Sequence, residues 1–240
     1  MFRTLALSAA LLLTACPPRA PPSDVAIEYN QRCAAALTAG QLDEAEALCD
    51  HSLEFCDYSW DAQTNKGLIR KLRNDREGAK SWFIKALRNF QDQAQAANNL
   101  GVIFLEENRL APAENMFVQA LKTNPDYAEA RWNLASVKLR LGKYDEAEKA
   151  YRQLVISAPT VTDGHLGLAR ALMLQKKIDD AVPSLEHAVL LGPGRAEAWL
   201  LLGAAKLELG RRDEAKGALG RCLDEDQTEP ECRRLMKELQ

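Results

Sequence analysis

Apolar residues recur along this chain with one fixed period. Alanine stands at residues 45, 79, 113, 147, 181 and 215, a spacing of 34 residues without a slip. Four residues after each alanine, on the same side of a helix, comes a second mostly apolar column: Cys49, Phe83, Phe117, Tyr151, Leu185 and Leu219. A constant period of this length predicts pairs of antiparallel helices that stack one after another.

The period divides most of the chain into six blocks without an insertion: 26–59, 60–93, 94–127, 128–161, 162–195 and 196–229. Position 8 of every block is small, as the close approach of two helices requires: Cys33, Gly67, Gly101, Ala135, Ala169 and Gly203. These columns resemble the consensus of the tetratricopeptide repeat. The resemblance implies an all-α fold, an α-α superhelix (solenoid) of six tetratricopeptide repeats.

The predicted turns carry residues that suit the ends of helices. Position 15 is glycine or asparagine in five blocks, as a left-handed C-terminal cap favours, and Lys176 is the exception. Position 18 supplies four aspartates as predicted N-caps of the second helix: Asp43, Asp145, Asp179 and Asp213. Proline at 125, 159 and 193 ends the second helix of the three middle blocks. Residues 230–240 are predicted to form a short capping helix.

The amino terminus is typical of an exported protein. Arg3 precedes an apolar run over residues 5–15, too short to span a membrane and of the right length for a secretory signal. The run ends in a segment that resembles the lipobox of bacterial lipoproteins, Leu13-Thr14-Ala15-Cys16. The resemblance implies a signal peptide over residues 1–15 and lipidation of Cys16, including palmitate. The alternative is an ordinary signal peptide with a chance cysteine.

The segment after the predicted lipid is rich in proline. Residues 16–25 comprise the lipidated cysteine and a tether that, in a polyproline conformation, spans roughly 28 Å. Pro17 rather than aspartate follows Cys16. By analogy with known sorting signals, this favours the outer membrane, with the protein anchored by its lipid and facing the periplasm.

Five cysteines follow Cys16 in the mature chain, which would reside where disulfides persist. Cys33 and Cys49 occupy positions 8 and 24 of the first block, which face each other across the hairpin. Cys222 faces the helix that follows it, where Cys232 falls. We therefore predict two bridges, Cys33–Cys49 and Cys222–Cys232. Buried free thiols are the alternative for each pair, and Cys56 competes as a partner of Cys49.

Composition and charge argue against several classes of function. The net charge of −3 becomes −4 once Arg3 leaves with the signal, and no basic stripe lies along the helices. Nucleic acid and an anionic lipid surface are therefore poor partners. His51, His165 and His187 stand apart from any nucleophile or metal-ligand pattern. We expect no catalytic site, metal, small-molecule substrate or cofactor beyond the covalent lipid, and hence no enzyme.

The first helices of such repeats line an inner groove, which is predicted to be apolar. Its lining would form a continuous hydrophobic strip for an apolar or amphipathic segment of a partner: Leu68, Val102, Leu105, Trp132, Leu139, Leu166 and Met173. Trp132 is the expected anchor because tryptophan is enriched among interface hot spots. The alternative is that neighbouring hairpins cover part of the strip.

A lipobox, a short tether and six tetratricopeptide repeats together resemble the pilotins of type IV pilus secretins, the PilF, PilW and Tgl lipoproteins. Length and signal region look closest to Tgl. The resemblance implies binding of secretin subunits and promotion of their insertion and multimerisation in the outer membrane, for pilus assembly and pilus-dependent social gliding or twitching motility. The alternative is an envelope adaptor that docks periplasmic proteins such as peptidoglycan hydrolases.

Overall fold

A computed structural model describes residues 22–90 and 93–239 of the chain, so the predicted signal peptide, Cys16 and most of the tether lie outside it. Its elements are thirteen helices, and the described residues form no strand. The helices are Asp24–Thr38 (α1), Leu42–Phe55 (α2), Trp60–Leu72 (α3), Arg76–Asn89 (α4), Ala94–Glu106 (α5), Leu110–Thr123 (α6), Ala128–Arg140 (α7), Tyr144–Ser157 (α8), Thr162–Leu174 (α9), Ile178–Leu191 (α10), Ala196–Glu208 (α11), Arg212–Glu225 (α12) and Pro230–Glu238 (α13).

Each predicted block contains two of these helices. The first helix packs against the second helix of the same block in the pairs α1 with α2, α3 with α4, α7 with α8, α9 with α10 and α11 with α12. The second helix then packs against the first helix of the next block, as in α8 with α9 and α10 with α11. The all-α fold of stacked helical repeats is therefore confirmed. The chain divides into two compact units at Leu100 and Gly101. Unit 1 holds α1–α4 and the start of α5, and unit 2 holds the rest of α5 and α6–α13.

The turn inside every block contains one residue in the left-handed backbone conformation. Gly40, Gly142 and Gly210 have φ between 73° and 74°, and Asn74 and Asn108 have φ of 60° and 58°. Lys176, which the sequence pattern did not favour here, adopts φ 64° as well. The geometry of the hairpin therefore requires this conformation whatever residue is present, and lysine accepts the strain that glycine avoids.

The predicted N-caps of the second helices were wrong, because the observed N-caps lie two residues earlier in the chain. The second helices begin earlier than the pattern suggested, so that Gln41 and Lys143, at position 16, are the N-caps of α2 and α8. Asp43 and Asp145 lie in the first helical turn instead. Their carboxylates interact favourably with the helix dipole there, which explains an acidic preference that resembles capping. Only α4 among the second helices has an aspartate cap, Asp75, whose side chain accepts a hydrogen bond from the Gly78 N–H.

Small residues allow the two helices of a block to touch. The whole alanine column is fully buried: Ala45, Ala79, Ala113, Ala147, Ala181 and Ala215. At position 8, a Cβ added to Gly67 would lie 2.5 Å from the Phe83 ring, and one added to Gly203 would lie 2.7 Å from Leu219 Cγ. The large residue at position 24 therefore occupies the space that the small residue at position 8 leaves open.

The two ends of the repeat array carry disulfides. Cys33 and Cys49 are bonded across the first hairpin, where three other repeats place a glycine against a large side chain. Cys222 and Cys232 are bonded between α12 and α13, with both sulfurs buried. These are the pairings that the repeat positions propose. Cys56 is buried as well and does not take Cys49.

The first helix starts before the first predicted block. Asp24 and Val25, assigned by the sequence to the tether, are the first two residues of α1. The reason is local, because the Ser23 side chain caps the helix by accepting a hydrogen bond from the Ala26 N–H at 3.3 Å. In the part of the chain that the structure covers, no helix is long and apolar enough to cross a membrane.

Candidate functional site

The predicted groove residues of unit 2 differ in how accessible they are. Five of them are half-buried on the first helices and keep part of their surface in solvent: Val102, Leu105, Trp132, Leu139 and Met173. Leu166 was wrongly placed in the groove, since it is only 2% exposed and belongs to the core around α8–α10. Leu68 is half-buried on α3 of unit 1.

Ion pairs further interrupt the apolar surface of unit 2. Arg170, at groove position 9 of α9, pairs with Glu197 in the first turn of α11. Arg195 pairs with Asp163 in the first turn of α9. Since Leu166 is also buried, the apolar residues of α9 and α11 do not extend the surface at Trp132 into a continuous strip. Neighbouring repeats cover and divide the strip, which is the alternative that the sequence left open.

One cavity in unit 2 lies at Trp132. It has a volume of about 280 Å³ and lies between the start of α7, the end of α8 and the start of α9. Its lining residues are Ala128, Glu129, Trp132, Leu154, Val161 and Asp163. Val161 is 39% exposed at its mouth. The cavity can receive one bulky apolar side chain, with the carboxylates of Glu129 and Asp163 at its rim.

The matching position in the next repeat lacks this cavity's apolar wall. Arg195 stands where Val161 stands in the preceding repeat, and Ala188 replaces Leu154. Arg195 is used in the ion pair with Asp163. The cavity beside Trp132, which we call the Trp132 pocket, is therefore a local feature of the fourth and fifth repeats.

Comparison with known proteins agrees with the helical repeats. The tetratricopeptide repeat model matches residues 104–171 and 172–239, together more than half of the chain. The chain belongs to the tetratricopeptide repeat family. No protein of curated function matches the sequence.

Solved tetratricopeptide repeat structures resemble the whole fold. PilF of Pseudomonas aeruginosa superposes with a TM-score of 0.76 at 19% identity, over 89% of this chain and 97% of PilF. PilW, described as a widely conserved type IV pilus biogenesis factor, has a TM-score of 0.71 at 20% identity, over 89% of this chain and 99% of PilW. YrrB, described as having an unusual peptide-binding site, has a TM-score of 0.73 at 18% identity, over 79% of this chain and 97% of YrrB. At these identities the likeness concerns the fold.

The most exposed large apolar residues of unit 2 lie outside the predicted groove of these tetratricopeptide repeats. Ile156 is 80% exposed and Leu190 is 77% exposed. Both occupy position 29, near the ends of the second helices α8 and α10. The predicted groove comprises residues of first helices only, so it does not include this pair.

Polar amides on the first helices were also missed, although the sequence signals them. Asparagine occupies position 6 of three consecutive tetratricopeptide repeats, at residues 65, 99 and 133. In unit 1, Asn65 Nδ2 donates to Asn30 Oδ1 of α1 at 2.9 Å, and Lys71 Nζ of α3 donates to Asn99 Oδ1 of α5 at 3.3 Å. We call these four residues of unit 1, Asn30, Asn65, Lys71 and Asn99, the amide row.

The three histidines make contacts within and between helices. His51 Nδ1 lies 3.1 Å from Glu54 Oε2 on the surface of α2. His165 is buried, with Nε2 at 2.9 Å from the Pro159 carbonyl oxygen, and its ring stacks on that of His187 at a centroid distance of 5.3 Å. Among the residues that the structure describes, no three His, Cys, Asp or Glu side chains converge as a metal site requires.

Two shifted pKa values reflect packing between repeats. Burial raises the pKa of Glu148, but hydrogen bonds from Arg152, Lys177 and Gln175 outweigh it and lower the pKa to about 2. Lys177 Nζ reaches Glu148 Oε2 at 3.0 Å, so this carboxylate joins the fourth repeat to the fifth. Burial raises the pKa of Tyr151 to about 12. The Tyr151 hydroxyl therefore stays protonated near neutral pH, as expected of a packing residue.

Proposed function

We propose that this protein is a pilotin, an outer-membrane lipoprotein that binds secretin subunits and promotes their insertion and multimerisation for type IV pilus assembly and motility. The proposal rests on two features that occur together in this chain, its fold and its amino-terminal segment. A tetratricopeptide fold that superposes on nearly the full length of PilF and PilW follows a lipobox-like segment ending at Cys16. Its kinship to Tgl within that group is part of the proposal.

The lipid and the repeats would divide the task. Multiple acyl chains on Cys16 would give stable attachment, because each buried methylene contributes about 0.8 kcal/mol. The repeats would hold a partner without chemistry, and we propose no enzymatic activity and no cofactor. A secretin subunit must enter the bilayer, so it carries apolar surface that needs protection until it inserts. The Trp132 pocket would take one bulky apolar side chain of that surface.

Capture of the secretin by the Trp132 pocket can be separated from folding. Val161→Gln changes the exposed mouth of the pocket and should leave stability nearly unchanged, because exposed substitutions usually stay within about 0.5 kcal/mol. Trp132→Ala removes the anchor itself. Trp199→Ala is the matched control, since Trp199 is a half-buried tryptophan on α11 that does not line the pocket.

The measurement is recovery of the secretin with affinity-tagged protein from solubilised membranes, beside a melting curve for each variant. We expect the Trp132 and Val161 variants to lose most of the secretin and Trp199→Ala to keep it. Loss that follows the melting temperature alone would assign Trp132 to stability. Peptidoglycan hydrolases in place of secretin would favour the adaptor function instead. Cys16→Ala, assayed in membrane fractions, tests separately whether outer-membrane location is required.

A further inference from the structure

We infer that two copies of this chain form a dimer through one exposed side of the second helices α8 and α10. The residues concerned follow one another at intervals of three and four along each helix, so they share one side of it. All six are exposed, and we call them the α8–α10 face: Lys149, Arg152, Ile156, Pro183, Glu186 and Leu190. Both helices belong to unit 2, and the inference does not depend on the proposed function.

Two large apolar residues distinguish this face from the rest of the surface. Ile156 is 80% exposed and Leu190 is 77% exposed, more than any other large apolar residue that the structure describes. They occupy the same position of successive repeats, and burial against a partner would remove both side chains from water. The other four repeats have a charged residue at this position: Glu54, Arg88, Lys122 and Asp224. The apolar pair is therefore a local feature of the fourth and fifth repeats.

The charged residues of the face are complementary between its two helices. Arg152 on α8 and Glu186 on α10 each stand one helical turn before the apolar residue, and within one chain they form no ion pair with each other. Arg152 Nε donates to Glu148 Oε1 at 2.8 Å, and its two terminal NH₂ groups make no hydrogen bond with other described residues. Glu186 Oε1 lies 3.2 Å from Lys206 Nζ, whereas its second oxygen has no partner among the described residues. Both side chains can therefore bind a further group of opposite charge.

A twofold axis that lies between the two helices and parallel to them brings unlike residues together. Both are second helices of successive repeats, so they run in the same direction. Rotation about this axis places α8 of one copy on α10 of the other and keeps equivalent positions opposite each other. Ile156 then meets Leu190 of the second copy, and Arg152 meets its Glu186. Each contact occurs twice, as in every isologous interface, so the face is complementary to itself.

A second copy fits this face better than an anionic lipid surface does. Lipid phosphates would repel Glu186, whereas a second copy brings an arginine to the same carboxylate. The two helices have 14 residues each, so the face is about 21 Å long. An interface of this length is at the lower end of the size range for specific complexes, and we therefore expect a weak dimer.

The test measures the mass of the predicted mature chain at increasing concentration by sedimentation equilibrium. The chain begins at residue 16 and has Cys16→Ser, so that neither lipid nor detergent covers an apolar surface. We expect this parent chain to dimerise. Ile156→Glu and Leu190→Glu should each weaken the dimer by a factor of at least about ten, because every substitution occurs twice in the interface. Their melting curves should match that of the parent closely, because both positions are exposed.

Leu174→Glu is the matched control. Leu174 is 50% exposed and lies in the same repeat as Leu190, but it stands at the end of the first helix α9 and outside the α8–α10 face. We expect this variant to dimerise like the parent chain. Association through any exposed apolar side chain would instead be weakened in both leucine variants alike.

Two charge variants test the pairing across the twofold axis. Arg152→Glu and Glu186→Arg should each prevent dimerisation when alone, because like charges then meet at both ends of the interface. An equimolar mixture of the two variants should form heterodimers. In that mixture the new carboxylate of one variant meets the new guanidinium of the other, and native Glu186 meets native Arg152. A change in stability within one chain cannot produce this recovery.

Four outcomes would overturn the inference. The first three are no dimer of the parent chain at concentrations up to about 1 mM, equal loss in the Leu174 and Leu190 variants, and no recovery in the mixture. The fourth is a parent chain that stays monomeric while Ile156→Glu lowers recovery of the secretin, which would assign the face to that partner. None of them refutes the pilotin function, because the amount of secretin multimer in cells lacking the protein tests that function separately.

Discussion

The close approach of two helices at position 8 makes a strong prediction about stability. In Gly203→Ala, the new Cβ would lie 2.7 Å from Leu219 Cγ, 2.8 Å from Leu219 Cδ2 and 3.4 Å from the Leu219 backbone nitrogen. Leu219 is fully buried and cannot move into solvent. Overpacking of this kind costs about 1–3 kcal/mol, against a gain of about 1 kcal/mol from replacing a helical glycine. We expect a net loss of up to about 2 kcal/mol.

Gly217→Ala in the same repeat is the control. An added Cβ at Gly217, on the exposed side of α12, meets no atom within 4 Å. This variant should therefore gain about 0.5–1 kcal/mol from helix propensity alone. Thermal unfolding followed by circular dichroism should separate the two variants by roughly 5–8 °C. If both variants melt together, or if Gly203→Ala is the more stable one, the account of how small and large residues join the two helices is refuted.

Two further predictions concern contacts between repeats and at the end of the array. Because the pKa of Glu148 in the folded protein is lowered to about 2 from its usual 4.5, its contribution to stability is complete above pH 4.5 and is lost as the pH falls towards 2. With allowance for screening, Glu148→Gln should remove about 1 kcal/mol at pH 7 and almost nothing at pH 2, as urea unfolding at both values can check. Cys222→Ser with Cys232→Ser should cost about 3 kcal/mol of local stability, visible as faster hydrogen exchange in α13 while α7 keeps its protection.

The sequence predicted the fold well because the repeat imposes the same packing constraint six times. The alanine column marks where two helices pack closely, and the turn residues mark where the backbone is left-handed. Lys176 shows that the turn adopts this conformation even where the residue does not favour it. The N-caps were misplaced because a carboxylate in the first helical turn and one at the cap both favour the helix start. A single sequence cannot distinguish these two positions, because it does not show at which residue the helix begins.

The binding surface was harder to predict because exposure depends on how neighbouring repeats pack. Leu166 and Trp132 occupy the same position of successive repeats, yet Leu166 is buried in the core and Trp132 lines an open pocket. The neighbouring residues cause this difference in exposure, since Val161 lies at the mouth of the Trp132 pocket and Arg195 occupies the equivalent position in the next repeat. Asparagine recurs at the same repeat position at residues 65, 99 and 133, but the predicted groove was defined by apolar residues alone.

In the proposed function, this protein brings secretin subunits to their assembled state in the outer membrane. The most direct measurement is the amount of SDS-resistant secretin multimer in outer membranes from wild-type cells, cells lacking the protein, and cells that express it again. We predict that multimers disappear in its absence, that secretin monomers persist, and that expression of the wild-type protein restores the multimers. Normal multimer levels without the protein would contradict the account.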